Sequence, residues 1–164
     1  MKKQYKVTDN LVFEDINLIF KNFTGQEDRF NPPGSRRFSV LIEDPIMAAN
    51  LLEIGWNVKP LKRDEEEEPA WHLPVKVNYT NGRPPTVIVV QENGQLPLTE
   101  DTVAMLDYRS IISCDLVISP YNWDKEGDSP VSAYLRTMYV HLEDTPFSQK
   151  YADLPIIHIG PRAE

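Results

Sequence analysis

The sequence predicts a mainly β protein, a small antiparallel barrel or sandwich that carries two short helices. Segments with apolar residues at every second position recur along the 164-residue chain, as they do in half-buried strands. The regular alternation of strands with helices that indicates a parallel sheet does not occur in the pattern. The 14 prolines against 7 glycines favour many strand ends and stiff loops over long helices. At this length, one domain over residues 1–164 with a real hydrophobic core is the simplest organisation.

The first two strands flank a loop that is rich in cations and aromatic rings. Residues 11–23 carry apolar side chains mostly at period two, which predicts a strand with an irregularity near Glu14 and Asp15. Residues 36–43 alternate in the same way and predict the second strand. The phenylalanines expected in the core of these strands are Phe13, Phe20 and Phe38.

A short amphipathic helix follows the second strand. Asp44 is a good N-cap residue, Pro45 suits the first helical position, and Gly55 ends the helix. Trp56, directly after the helix, is expected to pack against the body of the protein. The apolar residues that make this helix amphipathic are Ile46, Met47, Leu51 and Leu52.

The second half of the chain predicts four more strands and a second short helix. Residues 72–79 and 86–91 alternate and are joined by a turn, which favours a hairpin or near-hairpin. Thr99, followed by acidic residues, predicts the helix. Residues 111–119 and 131–143 are the remaining strands. On the last strand, alternation places Tyr134, Arg136 and Met138 on one face, the wetter of the two.

About six strands at this spacing fit an OB-like antiparallel barrel with two short helices. In that fold, one curved face of the sheet and its flanking loops bind oligonucleotides. The single cysteine, Cys114, lies in an apolar run and is expected to be a buried, inert thiol. No stretch approaches the length needed to cross a bilayer, so we expect a soluble, cytoplasmic protein without a membrane partner.

The charge is acidic overall and uneven along the chain. The net charge is -8, and residues 63–68, with the sequence RDEEEE, combine one arginine with five acids. Residues 63–69 are therefore interpreted as an acidic loop, either simply solvated or competing for a basic groove. Overall acidity leaves room for a local cationic groove, because phosphate binding depends on the field at the site.

The sequence carries no legible catalytic or metal-binding motif. The histidines His72, His141 and His158 lack companions at metal-ligand spacing, and no glycine-rich phosphate loop or nucleophile motif is present. We therefore predict no enzyme, no catalytic or metal-binding residue and no cofactor. Carboxylates are plentiful, so a carboxylate-metal nuclease stays open as the enzymatic alternative.

Aromatic rings and cations are interleaved at several places. Bases stack on exposed rings while arginine and lysine hold phosphates, a mode that requires no reading of sequence. Residues 22–38 combine three phenylalanines and three arginines with two glycines and two prolines. Within them, Arg29 and Phe30 lie in a loop that offers them no core role. This stretch is therefore the first candidate for a nucleic-acid site.

The order of several motifs resembles a family of small bacteriophage single-stranded DNA-binding proteins with an OB-type fold. The motifs lie within residues 11–153 and read KNFTGQEDRFNPPGSRRFSVLIED, GWNVKPLK, LPVKVNY, RPPTVIVV, LDYRSI, DLVISPYNWDKEGDSPVSAYLRTMYV and FSQKYAD. The resemblance implies that the protein coats single-stranded DNA during phage replication or recombination, in the host cytoplasm and without a cofactor. The residues it implicates in nucleic-acid binding are Arg29, Phe30, Arg36, Arg37, Lys59, Lys76, Tyr121 and Trp123.

The C-terminal extension, residues 154–164, differs from the C-terminus common among single-stranded DNA-binding proteins. Many single-stranded DNA-binding proteins end in an acidic tail that recruits partners, whereas this chain ends PIIHIGPRAE. Replication or recombination proteins are candidate partners. The sequence shows no C-terminal segment that would recruit them. The oligomeric state is left open, a homodimer included. The alternative function is an acidic protein-interaction module, such as a phage inhibitor of a host factor.

Overall fold

The computed structural model describes residues 7–27, 32–80, 82–91, 94–123, 126–127 and 129–143. Within these ranges the chain is mainly β with two short helices, as the sequence predicts, but it has nine strands where the sequence indicates about six. The second helix begins at Val103, with Thr102 and not Thr99 before its first residue. The strands are β1 (Leu11–Ile16), β2 (Leu18–Asn22), β3 (Arg36–Ile42), β4 (Lys59–Pro60), β5 (Trp71–Val77), β6 (Thr86–Gln91), β7 (Gly94–Leu98), β8 (Ile111–Tyr121) and β9 (Ser132–Leu142). The helices are α1 (Pro45–Ile54) and a 3₁₀ helix (Val103–Tyr108).

The strands form a single sheet that curves into a partly open barrel. Its main path of hydrogen-bonded neighbours is β1-β8-β9-β5-β3-β2. The pairings along this path are antiparallel except for the parallel pair of β5 and β9. The two ends of the path, β1 and β2, are consecutive halves of one segment separated by Asn17. The chain itself therefore links the ends, giving the open OB-like form.

A bend divides this first segment, where the sequence predicts an irregularity. The register of β1 against β8 shifts between Phe13 and Ile16, and Asp15 has a left-handed φ of 52°. The backbone N–H of Asp15 donates to the carboxylate of Asp115 at 2.9 Å. The bend lets one segment pair with β8 in its first half and with β3 in its second.

Helix α1 has the predicted ends but a narrower buried side. The Asp44 carboxylate accepts a hydrogen bond from the Ile46 N–H at 2.9 Å, and Gly55 follows the helix with a φ of 127°. Only Ala48 and Leu51 of the helix are buried. These two lie one turn apart on one side, while residue 46 is about 160° around the helix from residue 48. The apolar residues of α1 that are exposed include Ile46, Met47 and Leu52.

The core lies inside the barrel and contains the alternate residues of the long strands. Phe13 and Phe38 are buried as predicted, and so are Trp56 and the thiol of Cys114. Burial raises the pKa of that thiol to about 12, with a smaller contribution from Asp115, so it is not reactive at neutral pH. The largest fully buried side chains include Trp56, Phe23, Phe38, Ile42, Leu73, Leu106, Leu116, Ile118 and Met138.

The predicted hairpin of the strands now numbered β5 and β6 is wrong. β6 pairs with β7 on one side and with β9 on the other. Both edges of β5 are occupied. One edge pairs with β3 along the whole of β5, and the other edge pairs with β4 and β9. β7, with the sequence GQLPL, is too short and polar to have been predicted as a strand.

The acidic loop between β4 and β5 is exposed and held by its own contacts. Arg63 donates to the backbone carbonyl of Glu68 at 3.1 Å and lies 3.9 Å from the Glu67 carboxylate. No helix in the described ranges is long and apolar enough to span a membrane.

Candidate nucleic-acid interface

The outward side of β3 and β5 carries cationic side chains. Successive residues of a strand point to opposite faces, and Phe38, Val75 and Val77 point into the core. Arg37, next to Phe38, therefore points outward, as does Lys76 between the two valines. The two cations are direct cross-strand partners in the register of β3 and β5.

The row continues across two more strands with aromatic rings. Lys76 is the register partner of Tyr134 on β9, and its ammonium lies 5.8 Å from the centre of that ring. The Tyr134 ring packs edge-on against Tyr121 of β8, with ring centres 5.7 Å apart. We name Arg37, Lys76, Tyr134 and Tyr121 the outer strip. The strip crosses four neighbouring strands. Its two cations lie on β3 and β5, and its two rings lie on β9 and β8.

Trp123 extends the aromatic end of the outer strip into the connection between β8 and β9. Its side chain is 52% exposed, and that of Tyr121 is 54% exposed. The indole N–H of Trp123 donates to the carbonyl of Pro130 at 3.0 Å across the loop. The ring is thus fixed at one edge, while a large part of its surface faces solvent.

A different environment exists at the end of the barrel where the β2–β3 loop begins. The Asp107 carboxylate accepts from the N–H groups of Phe23 and Thr24, both at 2.8 Å, and from the Thr24 hydroxyl at 2.6 Å. Phe23 is fully buried and stacks on Phe38, with ring centres 5.4 Å apart. The far side of the loop is tied in by a bond from Gly34 N–H to the Gly25 carbonyl at 2.8 Å.

Arg36 belongs to this end of the barrel. It lies on the same side of β3 as Phe38, one residue before Arg37. Its Nε donates to the Phe23 carbonyl at 3.0 Å, and its guanidinium lies 5.5 Å from the Tyr79 ring centre and 3.8 Å from the Glu100 carboxylate. We name Arg36, Phe23, Tyr79, Glu100 and Asp107 the anchored mouth.

Lys59 lies beside the outward face of β5, through its pairing with His72. Burial lowers the pKa of the His72 imidazole below its usual range, and the charge of Lys59 lowers it further. The Nδ1 of His72 is 2.9 Å from the Ser39 hydroxyl, and its ring meets Phe20 edge-on at 5.3 Å. A neutral imidazole leaves Lys59 as the cation of this cluster at neutral pH.

The structure therefore groups some of the predicted site residues and separates others. Arg37, Lys76 and Tyr121 lie in the outer strip, Trp123 continues it, and Lys59 flanks it. Arg36 is not brought to that face. Arg29 and Phe30 lie outside the described residues.

Sequence reasoning missed two exposed rings. The expectation that Phe20 is a core residue is wrong, because its side chain is 60% exposed. The register of β2 against β3 shifts between residues 19 and 22, which breaks the period-two pattern on which that expectation rested. Tyr108, at the end of the 3₁₀ helix, is 72% exposed. Its place after a short helix with a neighbouring Arg109 was the signal available in the sequence.

The alternation expected for β9 is also wrong in part. Met138 is fully buried, whereas Tyr134 is half-buried on the outward face. The register of β8 against β9 shifts between Val117 and Ile118, so an extra residue near Arg136 changes the face. Among the residues with described positions, no three His, Cys, Asp or Glu side chains are grouped so that they could hold a metal ion.

One comparison with known proteins identifies a family. A family model described as "Putative phage ssDNA-binding domain" matches residues 1–160. No curated protein matches the chain significantly. This chain is similar to the solved structure of gp2.5, a single-stranded DNA-binding protein encoded by bacteriophage T7. The sequence identity is 10% and the TM-score is 0.43. The match covers 96% of this chain and 100% of that one.

Proposed function

The chain belongs to the phage single-stranded DNA-binding family and binds single-stranded DNA, and from this premise we propose that the outer strip is its binding surface. The phosphates of the bound DNA would lie at the cationic end of the strip, on Arg37 and Lys76, with Lys59 beside them. The bases of the DNA would stack on Tyr134 and Tyr121. Trp123 would extend the stacking surface beyond the sheet.

One observation carries this proposal. Arg37 has no side-chain hydrogen bond or ion pair with any residue that the structure describes, and within the same residues the ammonium of Lys76 has a ring contact with Tyr134 but no polar partner. Cations without a polar partner beside solvent-accessible rings supply what flexible single-stranded DNA needs, because the cations hold its phosphates and the rings stack on its bases. OB-type barrels use one curved sheet face and its flanking loops for oligonucleotides. The outer strip lies on a sheet face of this kind, and Trp123 lies in the connection beside it.

The proposed mode favours single strands over duplex. Bases would stack on the rings of Tyr134 and Tyr121 only when they are neither paired with a complementary strand nor stacked inside a duplex. No base-edge reading is required, so binding is independent of sequence. We infer that the protein coats single strands during phage replication or recombination in the host cytoplasm, and that binding proceeds without cleavage.

The experiment is a titration of fluorescent oligodeoxythymidylate and of duplex of equal length over a range of salt. We expect tighter binding of the single strand and a log–log salt slope of about 0.7 per phosphate neutralised. The double variant Arg37→Ala/Lys76→Ala should lower the slope by about 1.4. Arg63→Ala is the matched control, because Arg63 is held within the acidic loop and should leave the slope unchanged. Equal affinity for duplex, or a slope unaffected by the double variant, would contradict the proposal.

A further inference from the structure

A pocket lies beside the outer strip, between β2, β3, β5 and the 3₁₀ helix. Its cavity volume is about 800 Å³, within the range typical of small-molecule sites. Phe20, Tyr108, His72, Lys59 and Arg37 are among the residues that line it. Arg37 thus belongs both to the pocket and to the outer strip, which places the two next to each other.

Phe20 is the most unusual residue of the pocket. It is an aromatic residue with a φ of 54°, in the left-handed region that bulky side chains rarely adopt. Its side chain is nevertheless 60% exposed, so burial in the core does not compensate for this backbone conformation. Such outliers cluster at ligand-binding sites, where the surrounding structure holds them in place. The pocket therefore contains a ring that the fold holds towards solvent at a conformational cost.

The polar groups of the pocket divide into those already bonded and those left over. The Asp107 carboxylate is used by the backbone of the β2–β3 loop, and Lys21 donates to the carbonyls of Leu106 and Arg109 at 2.9 and 3.0 Å. Lys59 and Arg37 have no side-chain hydrogen bond or ion pair within the described part of the chain. What remains for a ligand is two exposed rings and two cations.

We propose that this pocket holds one nucleobase of the bound strand, turned out of the line of bases on the outer strip, against Phe20 and Tyr108. The phosphate next to that base would lie between Arg37 and Lys59, where the strand passes from the pocket to the strip. The inference rests on the proposed function. A base held in a duplex cannot enter the pocket, so the subsite adds to the preference for single strands.

The first test is photocrosslinking of the full chain to an oligodeoxythymidylate in which one thymine is replaced by 5-iodouracil. This base forms covalent adducts with aromatic side chains that it contacts, and mass spectrometry identifies them. We expect adducts at Phe20 or Tyr108 in addition to Tyr121, Tyr134 or Trp123. Adducts confined to the outer strip and Trp123 would overturn the pocket while leaving the proposed function intact. An oligonucleotide that does not bind would overturn both.

A variant series separates stacking from simple packing. Phe20→Leu keeps apolar bulk without a ring face and should weaken binding about 5- to 150-fold, while Phe20→Tyr should bind as the wild type does. Phe20→Gly should lose affinity to a similar extent and melt no earlier than the wild type, because glycine adopts the left-handed conformation freely. Ile112→Ala, an exposed apolar change at the opposite end of β8 from Tyr121, is the control. Wild-type affinity in Phe20→Leu would overturn the proposal.

Discussion

The anchored mouth and the outer strip use the same residue types, arginine and aromatic rings, in opposite ways. In the mouth, Arg36 is committed to a carbonyl, a carboxylate and a ring, and Phe23 is fully buried. In the strip, Arg37 faces outward without a polar partner among the described residues, and Tyr121 is more than half exposed. Arg36 and Arg37 are neighbours in sequence, so strand alternation alone separates the two roles.

A cluster of cations and rings in a sequence therefore does not identify a binding site by its composition alone. The mouth fixes the start of the β2–β3 loop through hydrogen bonds that Asp107 accepts from the loop backbone and that Arg36 donates to it. The strip stays open to a ligand. Changes in the mouth should therefore affect folding, and changes in the strip should affect binding.

The largest expected effect is on folding, from Phe23→Ala. Phe23 is fully buried against Phe38, and removing such a ring from a core costs about 3–5 kcal/mol of unfolding free energy. Urea denaturation followed by fluorescence measures it. Phe20→Ala is the matched control, because the exposed ring of Phe20 should give a loss of less than about 1 kcal/mol. Equal losses in the two variants would break the distinction between buried and exposed rings.

A smaller effect, on binding, is expected from Tyr121→Ala. Loss of a stacking ring costs about 1–3 kcal/mol of affinity per base. The salt slope should hardly change, since no cation is removed, and the melting temperature should stay close to that of the wild type. Fluorescence anisotropy with oligodeoxythymidylate measures the affinity. Unchanged affinity would remove Tyr121 from the site.

Alkaline pH should lower the stability of the folded protein, because Tyr79 in the anchored mouth would ionise. Burial raises the pKa of Tyr79 from 10.0 to about 12; Arg36 lowers it and Glu100 raises it by smaller amounts. The folded protein holds the phenolic proton more tightly than the unfolded chain, so this contribution to stability is complete below pH 10. It is lost as pH rises from 10 towards 12. Because the side chain is partly exposed, the contribution is on the order of 1 kcal/mol.

Urea denaturation of the wild type and of Tyr79→Phe at a series of pH values between 8 and about 11 isolates this effect. As the pH rises, the unfolding free energy of Tyr79→Phe should increase relative to that of the wild type. Ionisation of Cys114 affects both proteins equally and cancels in the difference. Parallel stability curves would show that Tyr79 does not resist ionisation in the fold.

Local signals in the sequence predicted a large part of the fold. The bend at Asp15 follows from a break in alternation, and the ends of α1 follow from Asp44, Pro45 and Gly55. The partner of β6 could not be predicted, because it depends on which edges of β5 and β9 are already occupied. The exposure of Ile46 and Met47 could not be predicted either, since it depends on how little of α1 the barrel covers.

The candidate site was predictable by residue type and not by position. Interleaved rings and cations pointed to Arg37, Lys76 and Tyr121, which the sheet brings together. The same criterion selected Arg36, which the register assigns to the mouth. It missed Phe20, because the shift that exposes this ring is a property of the pairing of β2 with β3.

The most direct test of the account is the salt dependence of single-strand binding by Arg36→Ala and Arg37→Ala, measured together with their melting curves. The two variants remove the same charge from adjacent positions. We predict that Arg37→Ala lowers the slope by about 0.7 and melts with the wild type. Arg36→Ala should keep the slope and melt earlier, because the Phe23 carbonyl and Glu100 lose their partner. The opposite pattern, with the slope lowered by Arg36→Ala alone, would contradict the account.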